Sequence, residues 1–378
     1  MTRGDVVYLD NNASTPLLPR VREAVLAALD EGFGNPSADH AFGRRARAIV
    51  EAARAEVAAL LGAAPDEIVF TGGGTEANNL ALRGLARASK EPSAIVTSDV
   101  EHPAVERVVA ELQRAGWLAL EANVGASGAV SAAEVARLAS SVDAARPVVS
   151  LLLAQNETGV LQPVAEVARL LRGRGAIVHT DAAQAVGKID VDVRALGVDL
   201  LSVAGHKLYA PKGVGALFVK RGVTLAPLVV GAGHERGLRP GTENVASIAG
   251  LGAACAIARE DLGRAWARQR ALRDRLEAKL AVGGFVVHGA SAERLPNTVN
   301  GRFPGVRGSA VLARCEAIAA STGSACHAGE ESPSRVLLAM GVAHEAALGA
   351  IRLSLGRATT EAEIDRSAEA LLAAARRP

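Results

Sequence analysis

The sequence predicts an α/β fold with a mostly parallel sheet covered by helices. Two observations lead there. From about residue 66 to 220, short β-rich runs alternate with amphipathic segments: Glu67 to Thr71, Ala94 to Ser98, Val148 to Leu153, Ile177 to Thr180, Leu200 to Val203 and Gly215 to Val219. These runs are apolar almost throughout, as strands buried on both faces require. Ligands in such folds sit outside the carboxyl ends of the strands, so the polar residues that close each run are the candidate site.

Taken in chain order, Phe70-Thr71-Gly72-Gly73-Gly74-Thr75 follows a strand and opens a helix, exposing backbone N–H groups where the helix dipole favours an anion. A phosphate cradle and a plain chain reversal both fit it, and it matches neither the P-loop nor the dinucleotide fingerprint. Glu101-His102-Pro103 follows the second run, with Pro103 suited to a first helical turn. His102 is placed either to lie over a planar ring or to serve as a capping residue. Asn156, in Gln155-Asn156-Glu157-Thr158-Gly159, closes the third run and can hydrogen-bond a ring substituent. Asp181 ends the fourth, with Gln184 just beyond.

Lys207, in Gly205-His206-Lys207, follows the fifth run and precedes the Gly-containing turn Ala210-Pro211-Lys212-Gly213. A lysine there can form a Schiff base with an aldehyde, and an aspartate can pair with a protonated pyridine nitrogen. Together they suggest pyridoxal phosphate (PLP), whereas alone each reads as a solvated lysine and a helix cap. From about Asn244 to Leu280 the pattern becomes one long Ala-rich helix, after which shorter units mark a second domain. Ser321 to Pro333 is small, polar and Gly-containing, the composition of an exposed loop, with Cys326 near its centre. Cys255 and Cys315 read as structural. Arg352, inside the apolar run Ala350 to Leu355, demands an anionic partner: a substrate carboxylate or a structural acid.

Composition narrows the class. With 42 basic and 40 acidic residues, 3% aromatics, and a single basic cluster (Arg44, Arg45, Arg47) soon followed by Glu51, a nucleic-acid surface is not expected. Three cysteines without metal-ligand spacing argue against a zinc site or a disulfide framework. The N-terminus lacks a signal-peptide core, and no stretch reaches the ~20 apolar residues of a membrane span. A cytoplasmic protein acting on a small molecule is expected.

The ordered motifs resemble, over nearly the whole chain, the cysteine desulfurases of the NifS/IscS type and the related selenocysteine lyases, among the fold-type-I PLP enzymes. They begin with Tyr8-Leu9-Asp10-Asn11-Asn12-Ala13-Ser14-Thr15-Pro16 and Gly34-Asn35-Pro36-Ser37, and end with His234 to Asn244, the Cys326 loop and Arg352 to Arg357. The resemblance implies a large PLP-binding domain over 15–255, with a mostly parallel mixed sheet flanked by helices, and a smaller α+β domain from 1–14 and 256–378 carrying the cysteine loop. It implies that Lys207 holds the cofactor covalently, Asp181 meets the pyridine nitrogen, His102 stacks on the ring, and Asn156 and Gln184 address the ring and its 3′-oxygen. Gly74, Thr75 and His206 would bind the phosphate, as would Thr242 of the partner subunit in a homodimer. Asn11, Asn156 and Arg352 would hold the substrate, L-cysteine or L-selenocysteine, and Cys326 would take its sulfur as a persulfide, release alanine and pass the sulfur to an acceptor protein. No metal is implied. Ala204 departs from the pattern, standing where these desulfurases usually carry a phosphate-binding serine; the lyases commonly lack it too. The lyase, an aminotransferase and a non-catalytic scaffold on the same fold are the competing readings.

Overall fold

In the computed structural model, which describes residues 6–142, 146–323 and 332–376, the short strand β1 (Val7–Tyr8) leads into a seven-stranded central sheet. That sheet comprises β2 (Ile68–Thr71), β3 (Ala94–Ser98), β4 (Leu118–Ala122), β5 (Val148–Leu152), β6 (Ile177–Asp181), β7 (Leu200–Ala204) and β8 (Gly215–Val219), in the order β2-β8-β7-β6-β5-β3-β4. Only β8 runs against its neighbours β2 and β7; the other pairs are parallel. The predicted runs are strands to within a residue or so. β4 was not expected: it is an edge strand, and its Leu118 is exposed, so the continuous apolar signal of a covered strand is missing.

Alternate side chains of the central strands enter different cores. Val149, Leu201, Val203 and Phe218 join one cluster, while Val148, Ile177, Leu200 and Leu217 join another. Both faces are therefore dry, which accounts for runs without polar alternation. The parallel strands β3, β5, β6 and β7 end on one edge, which brings His102, Asn156, Asp181 and Lys207 within reach of a common space.

A third core lies under an antiparallel sheet in which β10 (Thr298–Arg302) is flanked by β9 (Val286–Val287) and β12 (Ala350–Ser354), with β11 (Ile318–Ala319) pairing to β1. Here the alternation is clean. Val299, Ile351 and Leu353 face that core, and Thr298, Asn300, Arg352 and Ser354 form a buried polar set on the other face. The helix Val245–Ala281, 37 residues long, packs Ile248 and Leu251 into the first core and Leu272, Leu276 and Leu280 into the third. Among the described residues, no helix is long and apolar enough to cross a membrane.

Gly187 shows how tightly the strand-end turns are built. It sits at φ 75°, and a Cβ there would collide with the Leu208 side chain, adjacent to Lys207. Gly187→Ala is expected to cost about 1–3 kcal/mol of stability, read by urea denaturation.

Candidate active site

A cavity of about 350 Å³ opens at the carboxyl edge of the parallel strands. Asp181, the last residue of β6, is buried in its wall, with Oδ2 accepting a 2.6 Å hydrogen bond from Asn78 Nδ2 and Oδ1 one of 2.9 Å from the Ala183 amide. Asn78 comes from the helix Gly74–Ala88, and its Oδ1 is buried without a partner. Lys207 follows β7 on the short turn Gly205–Lys207, and its Nζ donates to the carbonyls of Asn12 (2.6 Å) and Ala13 (2.8 Å). Burial, helped by the Arg352 cation, lowers the Lys207 amine to about 8, against the opposing pull of Asp10 and Asp181.

His102 caps the helix Pro103–Arg114, its Nδ1 accepting from the Ala104 amide at 3.1 Å, and its ring also lines the cavity. Lost hydration lowers its pKa, and Lys207 adds to this while Asp181 opposes it. His102 therefore caps the helix while lining the cavity. Behind it, the buried Glu101 accepts from Ser98 Oγ (2.6 Å) and from the Leu152 amide, and desolvation raises its carboxyl to about 8 despite these bonds.

At the far end, Gly73 caps the helix that begins at Gly74, with φ 143° and open space where a Cβ would stand. A Cβ on Gly74 would press on that of Ala204 at 3.0 Å, so the small residue at 204 packs directly under the turn. Thr75 is exposed beside it. His206 lies 3.3 Å from Ser14 Oγ through Nδ1, and burial, with Lys207 and Lys212 nearby, lowers it to about 4, leaving a neutral ring. An amine, a carboxylate, an imidazole face and a helix N-terminus around one small cavity suit a flat ring that carries a phosphate and an aldehyde, and the orphaned Asn78 oxygen marks the wall as built for a polar ligand.

The chain matches the aminotransferase class-V family over residues 7–366. It belongs to that family. Among relatives, a cysteine desulfurase of Trichormus azollae is 44% identical, over 97% of this chain and 92% of its own length. A selenocysteine lyase of Bos taurus is 42% identical, over 95% and 91%. Among solved structures, a NifS-like protein superposes with a TM-score of 0.90 at 36% identity, covering 97% of this chain and 98% of that one. A structure of SspA in complex with cysteine gives 0.82 at 33%, covering 93% and 99%. The fold is thus that of the NifS-like, fold-type-I members of the family.

Of the class-V residues named from sequence, Gly74, Thr75, His102, Asn156, Asp181, Gln184, His206, Lys207 and Arg352 all line the cavity. Asn11 does not. Its amide donates to the Ser354 carbonyl at 2.9 Å and packs on Gly356, and the neighbouring Asn12 lines the cavity instead, the two lying in the turn over 11–13 in which the Ala13 amide returns to the Asp10 carbonyl. Thr242 is exposed and lies outside its own chain's cavity. Arg352 carries the structural acid that had been the alternative: Nη2 pairs with Asp10 at 2.7 Å and Nη1 donates to the Asn156 carbonyl at 3.2 Å, while Nε is buried and unpartnered. Cys326 lies outside the described residues; the chain that leads to it pairs with Arg352 at Ser321. Sequence reasoning missed Asn12, Asn78 and Lys188. Asn78 stands four residues past Gly74, one helical turn on from the glycine motif, which was the available signal.

The depressed Lys207 predicts a pH-dependent stability. Below about pH 8 the amine is charged in both folded and unfolded chains and its burial is unfavourable; between 8 and 10.5 the unfolded chain binds more protons, so stability rises with pH. In cofactor-free protein, wild type is expected to gain on Lys207→Met by up to about 3 kcal/mol across that window, measured by chemical denaturation.

Proposed function

We propose that the chain is a PLP-dependent cysteine desulfurase, converting L-cysteine to L-alanine and retaining the sulfur on Cys326. The observation that carries the reading is the pairing of the Lys207 amine with the Asp181 carboxylate in one cavity, in a chain 44% identical to proteins named cysteine desulfurase. When bound, pyridoxal phosphate supplies an electron sink for the pair left on the substrate α-carbon. Asp181, pinned by Asn78 and Ala183, would accept the pyridine N–H and keep that nitrogen protonated. Gly74, Thr75 and the neutral His206 would hold the phosphate, and the His102 ring would stack on the pyridine. Lys207, with its amine brought near neutrality, moves the α-proton. The free N–H groups of Arg352 receive the α-carboxylate beside Asp10, with Asn156 at hand. The Cys326 thiolate bonds the substrate sulfur as its bond to carbon breaks, and passes it on from the persulfide to an acceptor serving iron–sulfur cluster, thio-cofactor or tRNA synthesis.

A homodimer completes the site, with Thr242 of the partner subunit at the phosphate. Exposed Phe33 and Phe42, in ring contact at 5.1 Å, and exposed Val229 and Val230 support such an interface. The division into 15–255 and 1–14 with 256–378 belongs to the same proposal, supported by the separate core under the β9-β10-β12 sheet. A cytoplasmic setting accords with the unpaired, buried Cys255 and Cys315. The competing reading, a selenocysteine lyase, draws on the Bos taurus relative and on Ala204; a kcat/KM for selenocysteine far above that for cysteine would establish it.

Mass spectrometry after incubation with L-cysteine is expected to find added sulfur on Cys326. Cys326→Ala should lower sulfur release roughly a hundredfold or more while cofactor absorbance persists; full release by that variant would overturn the role. Arg352→Gln is expected to raise KM for L-cysteine by about 10–100-fold in steady-state kinetics.

A further inference from the structure

We propose that Lys188 is a positioning residue that locks the amides of Gln184 and Asn12, holding Gln184 with its N–H groups toward the cofactor. The inference rests on the reading that the cavity takes pyridoxal phosphate. Lys188 is buried, and its Nζ donates to Gln184 Oε1 at 2.6 Å and to Asn12 Oδ1 at 2.9 Å. It does not line the cavity, whereas Gln184 and Asn12 do, so it acts through them. An amide can turn half a revolution and exchange oxygen for NH₂ with almost no change of shape, but a lysine only donates. Opposite Lys188, therefore, each amide presents its oxygen.

The rest follows from that constraint. Gln184 Nε2 is directed to the Asn12 carbonyl at 2.9 Å, which uses one N–H and leaves the other. Asn12 Nδ2 is directed to Thr298 Oγ1 (2.9 Å) and the Asn156 carbonyl (3.2 Å), and Asn12 Oδ1 also accepts from Asn297 Nδ2 at 3.2 Å. The Asn12 carbonyl shared with Gln184 is the one that holds the Lys207 amine. Among the described residues no carboxylate pairs with Lys188. Burial is what most depresses its pKa, and the Lys207 and Arg352 cations add to it. A methionine would fill the same volume without that cost, so hydrogen bonding is what the amine contributes here.

The oxygen on a pyridoxal ring beside its aldehyde accepts hydrogen bonds, and the remaining Gln184 N–H is the donor poised for it. Losing that donor makes the ring oxygen and its neighbour hold their shared proton more tightly, so the pH midpoint of the bound cofactor's visible absorbance moves up. The test titrates that absorbance in PLP-loaded wild type, Lys188→Met, Gln184→Met and the double variant. Each single variant is expected to raise the midpoint by about 0.5–1 pH unit, and the double variant to go no further than Gln184→Met. Additive shifts, or a wild-type midpoint in Lys188→Met with only a lowered Tm, overturn the proposal. Should Lys188→Met not be recovered folded, Lys188→Gln, which adds an acceptor and frees the amide to turn, carries the same expectation and the same refutation. A wild type that takes up no PLP overturns the functional reading and this inference with it; a wild type that does, beside an unshifted variant, overturns this inference alone.

Discussion

Asn12 is the point on which the site depends. Its backbone N–H donates to Ser354 Oγ, its carbonyl holds Lys207 and Gln184, its Oδ1 holds Lys188 and Asn297, and its Nδ2 reaches Thr298 and the Asn156 carbonyl. Asn297, Thr298 and Ser354 come from the segments around β10 and β12, and the others from the edge of the central sheet. A buried amide is satisfied only if all of these arrive together, so one residue ties the register of the small sheet to the position of Lys207. Asn12 itself is placed by the turn after β1, which begins where Asp10 bridges Ser354.

Burial most lowers the amines of Lys207 and Lys188; the Arg352 cation adds to both and Lys207 adds to Lys188, while Asp10 and Asp181 push the other way on Lys207. Asp10 has a double effect: it compensates the Arg352 guanidinium and partly restores the Lys207 proton. Burial, with Lys207 and Lys212 nearby, lowers His206 to about 4 and leaves its ring neutral near the helix N-terminus at Gly74.

Much of this was legible in the sequence because it is local. A strand that ends in a polar residue names both the fold and the wall of the cavity, which is why Asp181, Asn156, His102 and Lys207 could be read without coordinates. The edge strand β4 escaped because half-exposure erases its apolar signature. Asn12 and Lys188 escaped for another reason: their hydrogen bond spans 176 positions and that of Asn12 to Thr298 spans 286, and no periodicity encodes a contact so remote. Asn11 and Asn12 are the same residue type side by side in a turn, and only tertiary packing, Asn11 against Gly356 and Asn12 at the cavity, tells them apart.

The long helix Val245–Ala281 has a mechanical consequence. At about 1.5 Å per residue it is a rod of roughly 55 Å, clamped in one core through Ile248 and Leu251 and in another through Leu272 and Leu276. Two bodies sharing a continuous rod do not swing freely about a flexible joint; relative motion has to bend or break helical hydrogen bonds. Traffic into and out of the cavity therefore falls to the connecting loops around a stiff frame, and the frame keeps Arg352 and Lys207 at a fixed span whatever those loops do.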